Sequence, residues 1–253
     1  MNLYKIGSVI IFFLSICGIQ AQESEEIDPS KPTNFYTQVN VAAEYSFGKS
    51  DELIGTRING QYSFNPNNLV LFEVPILYNL NRDAGGLGDI RLRYFGVIKK
   101  DYSKTFPKIA AIAPTVDVVL PTGSFEKGIG TSSLVISPGL VWGWFLSERT
   151  QVFPIISYQH ISKPGSNLVP EELRYDKHGM TFQTIANYSF SKKTFLQVTP
   201  IYAINDLSRG GDSFTTEFKM SYMPTVTSKV QVFLRQEFTR SQTTINAGYT
   251  LYL

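Results

Sequence analysis

The sequence predicts an all-β fold, a transmembrane antiparallel up-and-down β-barrel of twelve strands, and three observations carry that expectation. From Phe35 onward apolar and polar residues alternate with period two between clusters of turn residues, and no stretch keeps a helical period. Aromatic residues reach 13%, with 14 Tyr and 18 Phe. Charged residues make up only 17% of the 253 residues, against roughly 25% in an ordinary soluble domain. The chain also finishes on AGYTLYL, with Ala247, Tyr249, Leu251 and Leu253 apolar at every second position. Chain ends normally fray and are polar, so this end reads as a strand that closes a sheet. Mean hydropathy near zero excludes a bundle of membrane helices but not a barrel, in which only alternate residues meet lipid.

The N-terminus predicts export. Lys5, the apolar run from Ile6 to Ile19 and Ala21-Gln22 read as a secretory signal over residues 1–21. The run is shorter than the ~20 residues of a spanning helix. A polar leader follows over 22–34, and the barrel takes 35–253. Cys17, the single cysteine, leaves with the signal, so the mature chain has no disulfide and no thiolate site. With two His besides, no metal or other cofactor is implied. A net charge of +2 with scattered basic residues gives no reason to expect a nucleic-acid partner.

Twelve segments carry the strand pattern: 35–47, 53–64, 69–80, 88–100, 108–121, 132–146, 150–162, 176–190, 194–205, 213–223, 229–240 and 242–253. Each is long enough to cross a bilayer at a tilt. Connections after even-numbered strands are tight: NPNN (65–68), SERT (147–150), SKK (191–193) and TSK (227–229), with DYSKTFP (101–107) the exception. Those after odd-numbered strands are longer: NRDAGGLG, GSFEKGIGTS, KPGSNLVPEELRYD and DLSRGGD. Short periplasmic turns and long extracellular loops are the pattern of outer-membrane barrels. That places the protein in the outer membrane of a Gram-negative bacterium. Its partners are then the membrane lipid, a small solute, and the barrel-assembly machinery acting through strand 242–253.

Parity sorts the two faces. In the eighth strand Met180, Phe182, Thr184, Ala186, Tyr188 and Phe190 oppose Thr181, Gln183, Asn187 and Ser189. In the tenth, Phe214, Phe218, Met220 and Tyr222 oppose Thr215, Glu217, Lys219 and Ser221. The apolar face gathers Tyr62, Phe64, Trp142, Trp144, Tyr188, Phe190 and Tyr222 at one end and Tyr45, Tyr78, Tyr158 and Phe238 at the other. Such paired bands suit two membrane interfaces. The opposite face then lines a lumen, with Arg57, Glu73, Arg91, Arg93, Asp117, Glu217, Lys219, Arg235 and Glu237 as its charges. Their signs alternate between neighbouring strands, which suits cross-strand pairing that props the wall or forms a charged eyelet for solutes. Pro75, Pro114, Pro138, Pro154 and Pro200 fall inside strand patterns and each removes a ladder donor. They imply bulges that bend the wall, or, at Pro114, Pro138 and Pro154, a weakened place where an apolar solute leaves sideways.

GGLGDIRLRYFG (85–96) and LPTGSFEKGIGTSSLVISPGLVWGW (120–144) resemble the outer-membrane family named after the MetA pathway of phenol degradation, whose members are usually described as transporters. The resemblance implies a barrel passing small, hydrophobic or aromatic solutes. Gly85, Gly86, Gly88 and Gly123 read as loop positions with unusual backbone angles. A different reading starts from YQHISKPGS (158–166), which resembles the His-x-Ser element of outer-membrane phospholipase A and the lipid A deacylases. It implies His160 as general base, Ser162 as nucleophile and Asp176 as the orienting carboxylate of an acyl hydrolase. Lys163-Pro164 stand where those enzymes carry Asn-Gly. A structural or adhesive barrel, its 163–175 loop binding a partner, is the third possibility.

Overall fold

The structure, a computed structural model, describes residues 35–253 apart from 50, 102 and 104. The expected signal at 1–21 and leader at 22–34 lie outside the described residues. Fourteen strand segments follow in chain order. They are β1 (Gln38–Phe47), β2 (Leu53–Asn65), β3 (Asn68–Asn79), β4 (Ala84–Leu87), β5 (Ile90–Gly96), β6 (Lys99–Lys100), β7 (Lys108–Leu120), β8 (Val135–Phe145), β9 (Thr150–Ile161), β10 (Lys177–Ser189), β11 (Thr194–Ile204), β12 (Asp212–Thr225), β13 (Ser228–Glu237) and β14 (Gln242–Tyr252). Because β4 and β5 both pair with β3, and β5 and β6 both pair with β7, these three segments share one position in the wall. The result is a closed antiparallel barrel of twelve wall strands, each joined to its sequence neighbour.

Closure explains the apolar C-terminus. β14 pairs with β1 from Gln38↔Tyr252 to Phe47↔Thr243, so no edge is left unpaired. Thr37 O accepts from Leu253 N–H and extends the ladder to the last residue. Tyr249 and Leu251 point outward, and Tyr252 points inward, edge-on to Tyr36 at 6.0 Å.

Register and exposure agree on which face is which. In β1, Asn40, Ala42, Glu44 and Ser46 are buried inward while Val39, Val41, Tyr45 and Phe47 are exposed outward. The outer surface is apolar around the wall, including Ile54, Ile76, Leu92, Ile156, Phe182, Phe218, Val232 and Tyr249. Aromatic pairs mark its borders: Tyr62–Phe64 and Tyr188–Phe190 at the end where β1 begins, here the lower end, and Tyr45–Phe47 and Phe214–Phe238 at the upper end. A continuous exposed apolar belt is costly in water, and lipid satisfies it.

Four details differ from the sequence expectation. The glycine-rich 84–87 is strand, not loop, so the connection after β3 shrinks to 80–83. With 238–241 equally short above and 101–107 longer below, loop length separates the two ends less sharply than expected. β8 starts at Val135 and β13 stops at Glu237, inside their expected bounds. Finally, Gly85, Gly88 and Gly123 have no positive φ. Gly88 and Gly123 are required by close approach instead: a Cβ would lie 2.8 Å from Pro75 Cγ at Gly88 and 2.4 Å from Ile129 O at Gly123.

Candidate functional site: the barrel interior

The inward face of β1 to β7 holds a continuous chain of ions. Arg57 lies between Glu44 and Glu73, its Nε 2.6 Å from Glu44 and its Nη1 3.0 Å from Glu73. Arg91 reaches Glu73 at 3.6 Å and Asp117 at 2.9 Å through Nε. Arg93 bonds the same Asp117 at 2.5 Å. Each partner comes from a neighbouring strand at nearly the same height, because register pairs Glu73 with Arg91 and Arg93 with Asp117. Three guanidiniums thus balance three carboxylates. Glu44, the most enclosed of them with 4% of its side chain accessible, is a member the sequence reading missed. Its signal was parity: it shares a face with Asn40 and Ser46.

The remaining expected charges lie on the facing wall. Glu217 and Arg235 oppose each other in register at 3.9 Å, and Glu237 bonds Arg240 near the upper rim at 3.3 Å. β12 stands six wall positions from β5, diametrically across a twelve-strand barrel, and Arg91 lies within electrostatic reach of Glu217. The lumen is not filled here. Arg91 keeps 36% and Glu73 31% of their side-chain surface accessible, although both project inside a closed wall. A twelve-strand barrel falls between eight-stranded ones packed with side chains and sixteen-stranded ones with a wide aqueous bore.

One sector is not polar. Ala110, Ala113, Val141, Phe145, Phe153 and Ile155, from β7 to β9, form a buried apolar cluster, with Phe95, Val97, Phe106 and Ile185 packed on it. This narrows the lower half from one side. β7, β8 and β9 carry apolar residues on both faces, the pattern of a strand buried twice.

Loop 121–134 packs at the upper end beside the inward-facing Asn79, and the two motifs that carry the family resemblance hold it there. Asp89, from GGLGD, accepts Gly123 N–H at 2.9 Å, Thr131 N–H at 2.7 Å and the Thr131 hydroxyl at 2.8 Å. Thr122 donates to Gly88 O and accepts Ile90 N–H. Ile129 is buried beside Gly86 and Gly88. Asn79 and Arg82 bond the Lys127 and Glu126 carbonyls from the other side. The neighbouring loops also dock: Tyr175 donates to Asp206, whose carboxyl is held well below the usual range by the Ser208 and Tyr175 hydroxyls.

The prolines interrupt specific rungs. Ser162 N–H bonds Leu134 O and Leu146 N–H bonds Thr150 O, which makes the even-numbered residues of β8 and β9 the hydrogen-bonding pairs. Pro138 and Pro154 both occupy such positions on this one seam, and rungs are missing at 137–138 and 142–143, the latter opposite Phe153 and Pro154. Pro75 faces the break between β4 and β5, where its carbonyl accepts Gly88 N–H, and Pro114 lies beside the break after Gly96.

The hydrolase residues are placed differently. His160 faces outward near the upper rim, paired in register with His178, their rings 5.1 Å apart. Tyr158 bonds His178 Nδ1. The Ser162 hydroxyl accepts Leu134 N–H, and Asp176 accepts Lys163 N–H. No hydrogen bond links His160, Ser162 and Asp176 among the described residues.

No family model matches the chain, and no curated protein sequence matches it. Solved structures do. An outer-membrane channel from Pseudomonas putida F1 aligns with a TM-score of 0.65 at 12% identity, covering 87% of this chain and 96% of that one. The NanC porin gives 0.65 at 9% identity, over 85% and 100%. The KdgM porin, in complex with disordered oligogalacturonate, gives 0.57 at 15%, over 85% and 99%. At these identities the likeness is one of fold: this chain has the architecture of the outer-membrane β-barrels.

Proposed function

We propose that the protein is an outer-membrane channel of a Gram-negative bacterium that passes small solutes, with its lower end in the periplasm. One observation carries this reading: the Arg57–Glu73–Arg91–Asp117 chain keeps accessible surface inside a closed wall, where only a lumen can bring water to it. The solved neighbours described as channels and porins support it. The resemblance to transporters of the phenol-degradation type supports hydrophobic or aromatic solutes in particular. For those, the β8–β9 seam is a second way out. Two hydrogen-bonding positions without donors, Pro138 and Pro154 on either side of the Leu140–Ile156 pair, weaken the wall beside an apolar interior cluster.

Proteoliposomes separate the two routes. Swelling in small sugars is expected to exceed that of protein-free vesicles and to fall as the sugar grows; no excess swelling would refute the channel. Pro138→Val with Pro154→Val should lower entry of toluene, measured by partition into the vesicle membrane, and leave sugar swelling alone. Unaltered toluene entry by a folded variant would remove the lateral route.

A further inference from the structure

Two cations project into the lower half of the lumen with no carboxylate to meet them. Lys219 on β12 and Lys229 on β13 share the inward face with Glu217, Arg235 and Thr250. Neither forms an ion pair within 4.0 Å among the described residues. Lys219 feels Glu217 at a distance, but that carboxylate is turned to Arg235. Lys229 is 8% exposed, its ammonium 5.6 Å from the centre of the Tyr252 ring. A buried ammonium beside a half-buried one is costly unless an anion joins them.

The surroundings are built to the same end. Ser221 lies between the two lysines along β12 and is 1% exposed, and its hydroxyl has no partner among the described residues. Phe233 pairs with Lys219, and Phe195 pairs with Ser221, so two half-buried inward rings flank the cations. We propose that this patch binds the carboxylate of a small aromatic acid, with Lys219, Lys229 and the Ser221 hydroxyl on the anion and Phe195 and Phe233 against the ring. The assignment rests on the channel reading for its place in transport, and on the patch alone for binding. Charge-assisted bonds select the carboxylate, and apolar contact selects the ring.

Calorimetric titration of the folded mature chain in detergent tests it, with benzoate as probe and benzyl alcohol and acetate as controls. Benzoate should bind at least about tenfold more tightly than either control, which lacks the charge or the ring. Lys219→Met with Lys229→Met should abolish that preference, and Lys229→Arg should keep it, each variant first shown to be folded by its heat-shifted electrophoretic mobility. Equal weak binding of all three probes, or a preference that survives the double substitution, overturns the site. Benzoate binding by a protein that passes no current would refute the channel and leave the site standing. Current without benzoate binding would do the reverse.

Discussion

Arginine in place of Phe182 is expected to destabilise the protein in a bilayer by about 2–4 kcal/mol, the cost of a cation at mid-membrane on a lipid-facing strand position. Arginine at the adjacent Gln183 should cost less, because that side chain faces the lumen and not lipid. Phe182 is exposed outward at the middle of β10, and Gln183 faces inward between Ile155 and Ile201. Urea titration of the protein folded into lipid vesicles measures both. The contrast depends on parity alone, since the residues are neighbours. Equal losses at the two positions would mean that the two faces do not meet different solvents.

Removing the Asp89 carboxylate should free loop 121–134. Three hydrogen bonds converge on that side chain. Bonds to a charged group contribute roughly 1.5–3 kcal/mol each when enclosed. Discounted for its half-exposed position, Asp89→Ala should still shift loop docking by on the order of 2 kcal/mol, about thirtyfold in the open population. Lys127 is exposed in that loop and supplies a trypsin site. Cleavage after Lys127 should accelerate by a similar factor, and channel current should become larger and noisier. Asp89→Asn keeps an acceptor for Gly123 but loses one for Thr131, so it should fall between. Trypsin cleavage of Asp89→Ala at the native rate would show that Asn79 and Arg82 suffice to hold the loop.

The sequence made some of this legible and hid the rest for physical reasons. β10 and β12 alternate cleanly, so their two faces could be read directly. β7 to β9 could not, because apolar residues on both faces erase the period-two signal while leaving the strand in place. The segment 84–87 reads as loop because glycine is ordinarily a turn residue. Here Gly86 leaves room for Ile129 against the wall strand, as Gly88 just beyond it does for Pro75. Glu44 was overlooked beside the more prominent arginines, although its parity matches theirs. The link from Asp89 to Gly123 and Thr131 was beyond a one-dimensional reading. It joins residues more than thirty apart through a loop whose path the alternation does not specify. Likewise, parity places Lys219 inward, but that neither it nor Lys229 meets a carboxylate emerges only with three-dimensional neighbours.

Function as a channel requires a lumen that conducts. Single-channel recording of the folded mature chain in planar bilayers, at neutral pH in high salt, tests this most directly. Steady current steps are predicted, and Asp117→Asn, which leaves Arg91 and Arg93 without their shared carboxylate, should move the reversal potential in a salt gradient toward anions. Silence from protein shown to be folded and inserted, with Asp89→Ala equally silent, would contradict an accessible lumen and leave a closed barrel in its place.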